Sequence, residues 1–232
     1  MARPAAVIVL AAGQGTRMKS ELPKVVHPVA GLSMIGHALR AAVGADPDDV
    51  VAVVRHQRDV VAAEILRVLP SAIVADQDEV PGTGRAVQCG LAALDGARGA
   101  VDGTVLVTYG DVPLLSSQTL VRLVGVHEAS GDAVTVLTSR VEDPTGYGRI
   151  LRAPDGSVAA IVEQRDATAE QARITEINAG IYAFDAGFLR GALAGLGTDN
   201  DQGEVYLTDV LAAAAQSGRG AGALELDDVW QT

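Results

Sequence analysis

Short apolar runs rich in valine alternate with longer amphipathic stretches over roughly the first 130 residues. Residues 6–10 and 50–54 read as buried strands, and 72–75 and 104–108 as two more. Between them, residues 34–43, 59–69 and 83–94 set apolar side chains three and four apart, the spacing of a helix with one buried face. Strand and helix in repeated succession predict βαβ units and a mostly parallel sheet with right-handed crossovers. After residue 131 the texture changes. Residues 133–140, 148–152, 158–162 and 174–184 are strand-like with fewer helices between, and Asp155-Gly156 suits a hairpin turn. Residues 204–217 carry one more helical stretch. The expected fold class is α/β: a Rossmann-like mixed, mostly parallel sheet with a β-rich insertion covering a crevice on one side.

Composition narrows the function. Hydrophobic residues make up 48% of the 232, but aromatics only 3%, so Ala, Val, Leu and Ile must build the core. A net charge of -11 argues against a nucleic-acid partner, which calls for a basic face. No run approaches the roughly 18 apolar residues that span a bilayer, so no membrane partner is expected. The apolar start opens directly onto a glycine-rich loop and reads as a strand rather than a signal peptide. The lone Cys89 excludes an internal disulfide, fits a reducing cytoplasm and is expected to be buried. The histidines lack metal-ligand spacing: His37 falls in a helical pattern, and His27, His56 and His127 fall near turns. None is assigned a catalytic role.

The chemistry concentrates at the end of the first strand. Leu10, Ala11, Ala12 and Gly13 sit where ligands bind in open α/β sheets, outside the carboxyl ends of the strands. Ala12, Gly13 and Gly15 have little or no side chain, so an anion can approach the backbone N–H groups. The loop matches neither a P-loop nor a dinucleotide fingerprint, because Met18 stands where the third glycine would be. Of 18 basic residues, 16 are Arg, and both lysines, Lys19 and Lys24, lie in this loop. A lysine retained in a chain that otherwise uses arginine suggests a need for a compact point charge. Arg17 and Lys24 are the candidate cations for a triphosphate. Asp111, at the end of the strand over residues 105–108, is the candidate Mg²⁺ ligand, since that hard cation takes one or two carboxylates plus phosphate oxygens.

Seven segments in order and spacing carry a resemblance. They are LAAGQGTRM at 10–18 with LPKV at 22–25; Gln77 with PGTG at 81–84; YGDVPL at 109–114; DPTGYGRI at 143–150; IVE at 161–163; EINAGI at 176–181; and GEVYLTD at 203–209. Together they resemble the first domain of the bacterial bifunctional N-acetylglucosamine-1-phosphate uridylyltransferase / glucosamine-1-phosphate acetyltransferase family. The resemblance spans nearly all of residues 1–232 and implies the nucleotide-diphospho-sugar transferase fold. It also implies Mg²⁺-dependent transfer of UMP from UTP to N-acetylglucosamine 1-phosphate, giving UDP-N-acetylglucosamine and pyrophosphate for cell-wall synthesis in the cytoplasm.

By this resemblance Leu10, Ala11, Ala12, Gly13, Gln77, Gly82 and Thr83 surround the uracil. Arg17 and Lys24 are catalytic, and Tyr109, Gly110 and Asp111 line the nucleotide, with Asp111 on the metal. Gly148, Glu163 and Asn178 hold the amino sugar. The family's linker helix, its left-handed β-helix for acetyl transfer and the homotrimer that helix builds have no counterpart here. Neither has the asparagine just beyond residue 232 that is its second Mg²⁺ ligand. The resemblance thus implies a domain lacking its last few residues and a weakened metal site. Arg85 stands where relatives often carry histidine. The alternatives are a catalytically impaired sugar-nucleotide-binding module, a sibling sugar-1-phosphate nucleotidyltransferase, and a nicotinamide-binding domain, the last disfavoured by the missing glycine.

Overall fold

The computed structural model describes residues 3–15 and 18–231. Its centre is β1 (Ala6–Ala11), every residue of which is buried. Flanking it in parallel are β4 (Asp49–Val54) and β6 (Thr104–Tyr109), and β5 (Ile73–Asp76) extends the sheet beyond β4. A strand with neighbours on both sides and helices on both faces has no polar face, which is why β1 and β4 read as nearly continuous runs of Val, Ile, Leu and Ala. Alternate residues of β1 go to opposite cores: Ala6, Ile8 and Leu10 to one face, Val7, Val9 and Ala11 to the other.

The first face is covered by α3 (Thr83–Arg98), α5 (Ala186–Ala194) and α6 (Asp209–Gln216). The second is covered by α1 (Met34–Gly44), α2 (Arg58–Val68) and α4 (Ser117–Ser130). Ser33, Ser116 and Asp185 start α1, α4 and α5 by accepting backbone N–H bonds from Gly36, Thr119 and Phe188. A small ribbon of β2 (Pro28–Val29) and β3 (Leu32–Ser33) precedes α1.

The expected β-rich part is present and divides in two. β7 (Val134–Arg140), β10 (Glu176–Asp185) and β11 (Ala221–Leu226) continue the main sheet, giving the order β11-β7-β10-β6-β1-β4-β5. β10 runs antiparallel to both its neighbours, and β11 runs parallel to β7. Only β8 (Arg149–Arg152) and β9 (Val158–Val162) form a separate hairpin, joined to β10 at Arg149 and turned at Asp155 and Gly156 as expected.

Several elements differ from expectation. The helix expected over 204–217 begins only at Asp209. Residues 204–208 instead form an irregular strap that turns at Leu207 and Thr208 and pairs with the start of α3 and the loop before it: Val205 N–H donates to Pro81 O, and Gly84 N–H to Val205 O. α4, α5 and β11 were not singled out by periodicity. Cys89 is only half-buried. His127 lies in α4, not at a turn; it is buried with its Nδ1 3.0 Å from Thr135 Oγ1, and burial holds its pKa down.

Candidate active site

An open cleft of about 640 Å³ lies across the carboxyl ends of β1, β4, β5 and β6. It is lined by Leu10, Ala11, Ala12 and Gly13, by Lys24, by Gln77, Gly82 and Thr83, and by Tyr109 and Asp111. Ten of the residues singled out from sequence therefore meet in one place. Arg17 lies outside the described residues.

The glycines of the loop divide the work. A Cβ on Gly13 would meet nothing within 4 Å, so this residue leaves the backbone open to the cleft. Gly15, at φ +62°, packs the other way: a Cβ there would come within 2.7 Å of Lys24 Cβ. Lys24 opens a short 3-10 helix after Pro23, and the next residue, Val25, is buried in the core beside α1. That anchor leaves the Lys24 side chain in the cleft, where Nζ lies 2.7 Å from Asp111 Oδ2.

Asp111 reaches the cleft because Gly110 continues the β1–β6 pairing by one bond, its N–H donating to Leu10 O at 2.8 Å. A Cβ on Gly110 would sit 2.7 Å from Ile35 Cδ1. Gly110 thus packs against the core, buried between the cleft-lining residues Tyr109 and Asp111. One oxygen of Asp111 accepts from Lys24, and the other has no hydrogen-bond partner among the described residues. Its side chain is 31% exposed. This suits a Mg²⁺ held by one carboxylate, with water and phosphate oxygens completing its shell. No group of three or more acidic, His or Cys side chains among the described residues forms a site able to hold a metal by protein atoms alone.

At the other end of the cleft the Gln77 side-chain amide donates to Val80 O at 2.9 Å and Gly82 O at 3.2 Å. Both donors serve the loop, which leaves Oε1 as an acceptor. Thr83 Oγ1 accepts from Leu207 N–H at 3.1 Å, tying the loop to the strap. Burial, followed by the nearby charges of Glu163 and Asp111, raises the pKa of the Tyr109 phenol, and the neighbouring Thr83 works against that rise.

Gly148, Glu163 and Asn178 do not line the main cleft; they converge beside it. A Cβ on Gly148 would lie 3.5 Å from both Glu163 Oε1 and Asn178 Cβ, and 2.9 Å from Ile161. Asn178 sits at an irregularity of β10, its side chain bridging Gly180 N–H and the Tyr182 hydroxyl. Gly180 carries the Tyr109 ring against its backbone, with φ +79° and no room for a Cβ. Burial raises the Glu163 pKa; the Thr208 hydroxyl opposes this, while Asp166, Asp209 and Glu204 add to it.

Sequence reasoning missed Arg55, His56 and Glu204, which also line the cleft. Arg55 and His56 follow β4, the parallel neighbour of β1, so the carboxyl-end rule already pointed at them. Glu204 is there only because the strap is not helical.

A glycine-rich loop at the first strand's end and a paired cation and carboxylate, all facing one open cleft, are the features of a nucleotidyltransferase. The chain belongs to the MobA-like NTP transferase domain family, whose pattern matches residues 7–174. It is 59% identical over 98% of its length to the bifunctional protein GlmU of Kineococcus radiotolerans, and 57% identical over the same share to that of Pseudarthrobacter chlorophenolicus. The chain spans 46% of the length of each. Its fold is similar to that of a UDP-glucose pyrophosphorylase solved with UDP-glucose, with a TM-score of 0.74 at 18% identity over 96% of this chain and 91% of that one.

Proposed function

We propose that this chain transfers UMP from UTP to N-acetylglucosamine 1-phosphate, forming UDP-N-acetylglucosamine and pyrophosphate. The observation that carries the base assignment is Gln77. With both amide hydrogens committed to Val80 and Gly82, it offers only an acceptor. That complements the N3–H of uracil and repels the bare N3 of cytosine. The backbone around Leu10 to Gly13, with Gly82 and Thr83, forms the rest of the base slot. Gly148, Glu163 and Asn178 take the amino sugar.

The nucleophile is already an anion, a phosphate oxygen of the sugar 1-phosphate, so no general base is required. It attacks the α-phosphorus, the bond to the β-phosphate bridging oxygen breaks, and pyrophosphate leaves. The barrier is the approach of two polyanions, so the residues act by positioning and charge compensation. Lys24, held by Asp111, turns its ammonium to the triphosphate, and Arg17 is proposed beside it. Mg²⁺ on Asp111 would supply further neutralisation of phosphate charge. For a protein of the relatives' full length, we propose acetylation of glucosamine 1-phosphate and a homotrimer in the remaining part.

The reverse reaction tests the reading. With Mg²⁺, UDP-N-acetylglucosamine and pyrophosphate, ³¹P NMR should show UTP and the sugar 1-phosphate growing together. Intact UDP-N-acetylglucosamine after prolonged incubation would contradict it.

A further inference from the structure

Arg149 is 1% exposed, and no carboxylate among the described residues lies within ion-pair distance of its guanidinium. A buried charge without a counter-ion is costly unless its hydrogen bonds are met. Here neutral acceptors meet them. The guanidinium donates to Tyr147 O, to Gln164 Oε1 at 2.7 Å and to Ala172 O at 3.3–3.4 Å. These acceptors belong to three separate segments: the glycine loop before β8, the loop after β9, and the 3-10 helix Gln171–Arg173 before β10. Gln164 Oε1 also accepts from Gly146 N–H at 3.1 Å, closing the tie back to the glycine loop.

The bonded neighbours bracket the proposed sugar residues. Gly148 lies between Tyr147 and Arg149, Glu163 is next to Gln164, and Asn178 donates its N–H to Gly148 O at 2.9 Å. We propose that Arg149 is the positioning residue of the sugar pocket. Its planar fork fixes the three loops so that Gly148, Glu163 and Asn178 converge on the amino sugar, although it is buried and is not among the residues that line the cleft. A lysine could not replace it, because one ammonium cannot span acceptors set apart on three segments. The inference rests on the sugar assignment above.

The test uses the full chain carrying Arg149→Lys, and separately Gln164→Ala, in steady-state assays of both substrates. Arg149→Lys should raise KM for N-acetylglucosamine 1-phosphate about tenfold while KM for UTP and kcat stay within about twofold. Gln164→Ala should give a smaller rise in the same direction. The double variant should be little worse than Arg149→Lys alone, because both act through one network. A folded Arg149→Lys with neither KM changed, or with both raised alike, would overturn the proposal, since a merely structural role predicts no split between substrates. If Arg149→Lys does not fold, the same split read in the half-buried Gln164→Ala decides. If the unaltered chain uses a different sugar 1-phosphate, the sugar assignment fails, and the split measured with that sugar still decides the role of Arg149.

Discussion

Gly82 is where the base slot has least tolerance, and Gly82→Ala isolates it. The residue has φ +119°, a backbone conformation that L side chains rarely adopt. A Cβ there would fall 2.3 Å from Val205 O, 2.5 Å from Val205 N and 2.8 Å from Val205 C, all backbone atoms of the strap. Those atoms make the bonds that join strap to loop, Val205 N–H to Pro81 O at 3.0 Å and Gly84 N–H to Val205 O at 2.8 Å. Dihedral strain costs about 1–3 kcal/mol, and the two displaced hydrogen bonds about 1 kcal/mol each. The sum is about 3–5 kcal/mol, which for a chain of this size lowers Tm by roughly 6–20 °C. The strap also carries Leu207, bonded to Thr83, so UTP affinity should fall more than about tenfold, or 1.4 kcal/mol. Melting curves by circular dichroism and UTP titration by calorimetry read both effects. Gly96→Ala is the control: it lies in α3 with open space around its Cβ position and should gain about 0.5–1 kcal/mol. A Gly82→Ala chain that melts within about 1 °C of wild type and binds UTP equally well would refute the argument.

Three further outcomes are expected. Lys24→Ala should lower turnover at least about tenfold, 1.4 kcal/mol of barrier or more, yet barely shift Tm, because its pair with Asp111 is partly exposed. A steady-state rate equal to wild type would remove Lys24 from the chemistry. Glu163 has a raised pKa, chiefly from burial, so its contribution to stability is present below the unfolded carboxyl value and lost as pH rises through the folded one. Glu163→Gln should therefore melt higher than wild type at neutral pH, with the advantage vanishing in acid, while sugar-phosphate KM rises; a neutral-pH Tm below wild type would contradict this. Glu176 is the opposite case. Burial disfavours its charge, but bonds and charges from Arg152 and Arg140 outweigh that and lower its pKa. Its stabilisation is present above the ordinary value of 4.5 and lost as pH falls through the folded value. Wild type should thus lose Tm more steeply on acidification than Glu176→Gln, and parallel curves would show that the pairing contributes nothing.

What could be read from the chain tracks what is local. β1, β4 and β6 were legible because strands buried on both faces are apolar along nearly their whole length, and β5 because its short apolar run over residues 73–75 pairs with β4 at the sheet edge. Lys24, Asp111 and Gln77 were legible because each sits at a fixed offset from such a strand. β11 was not, since AGALEL opens on three small residues and carries a charge, and it holds its place only by pairing with β7, Ala221 opposite Val134 and Leu226 opposite Ser139. The non-helical strap over residues 204–208 leaves no mark in the periodicity, because its form depends on backbone partners at Pro81 and Gly84. The bulge between Asn178 and Tyr182, which aims the Asn178 side chain, depends likewise on Gly180 yielding to the Tyr109 ring. Arg149 was visible only as part of a motif, because a buried arginine without a carboxylate has no signature in a single sequence.

The central claim is that this cleft selects uracil at Gln77 and an amino sugar at Gly148, Glu163 and Asn178. The direct measurement is pyrophosphate release with Mg²⁺ across the four common nucleoside triphosphates, each paired with a panel of sugar 1-phosphates. UTP with N-acetylglucosamine 1-phosphate should exceed every other pair by at least about tenfold in kcat/KM. A faster pair with another base or sugar, or saturable binding of UDP-N-acetylglucosamine with no pyrophosphate from any pair, would contradict it.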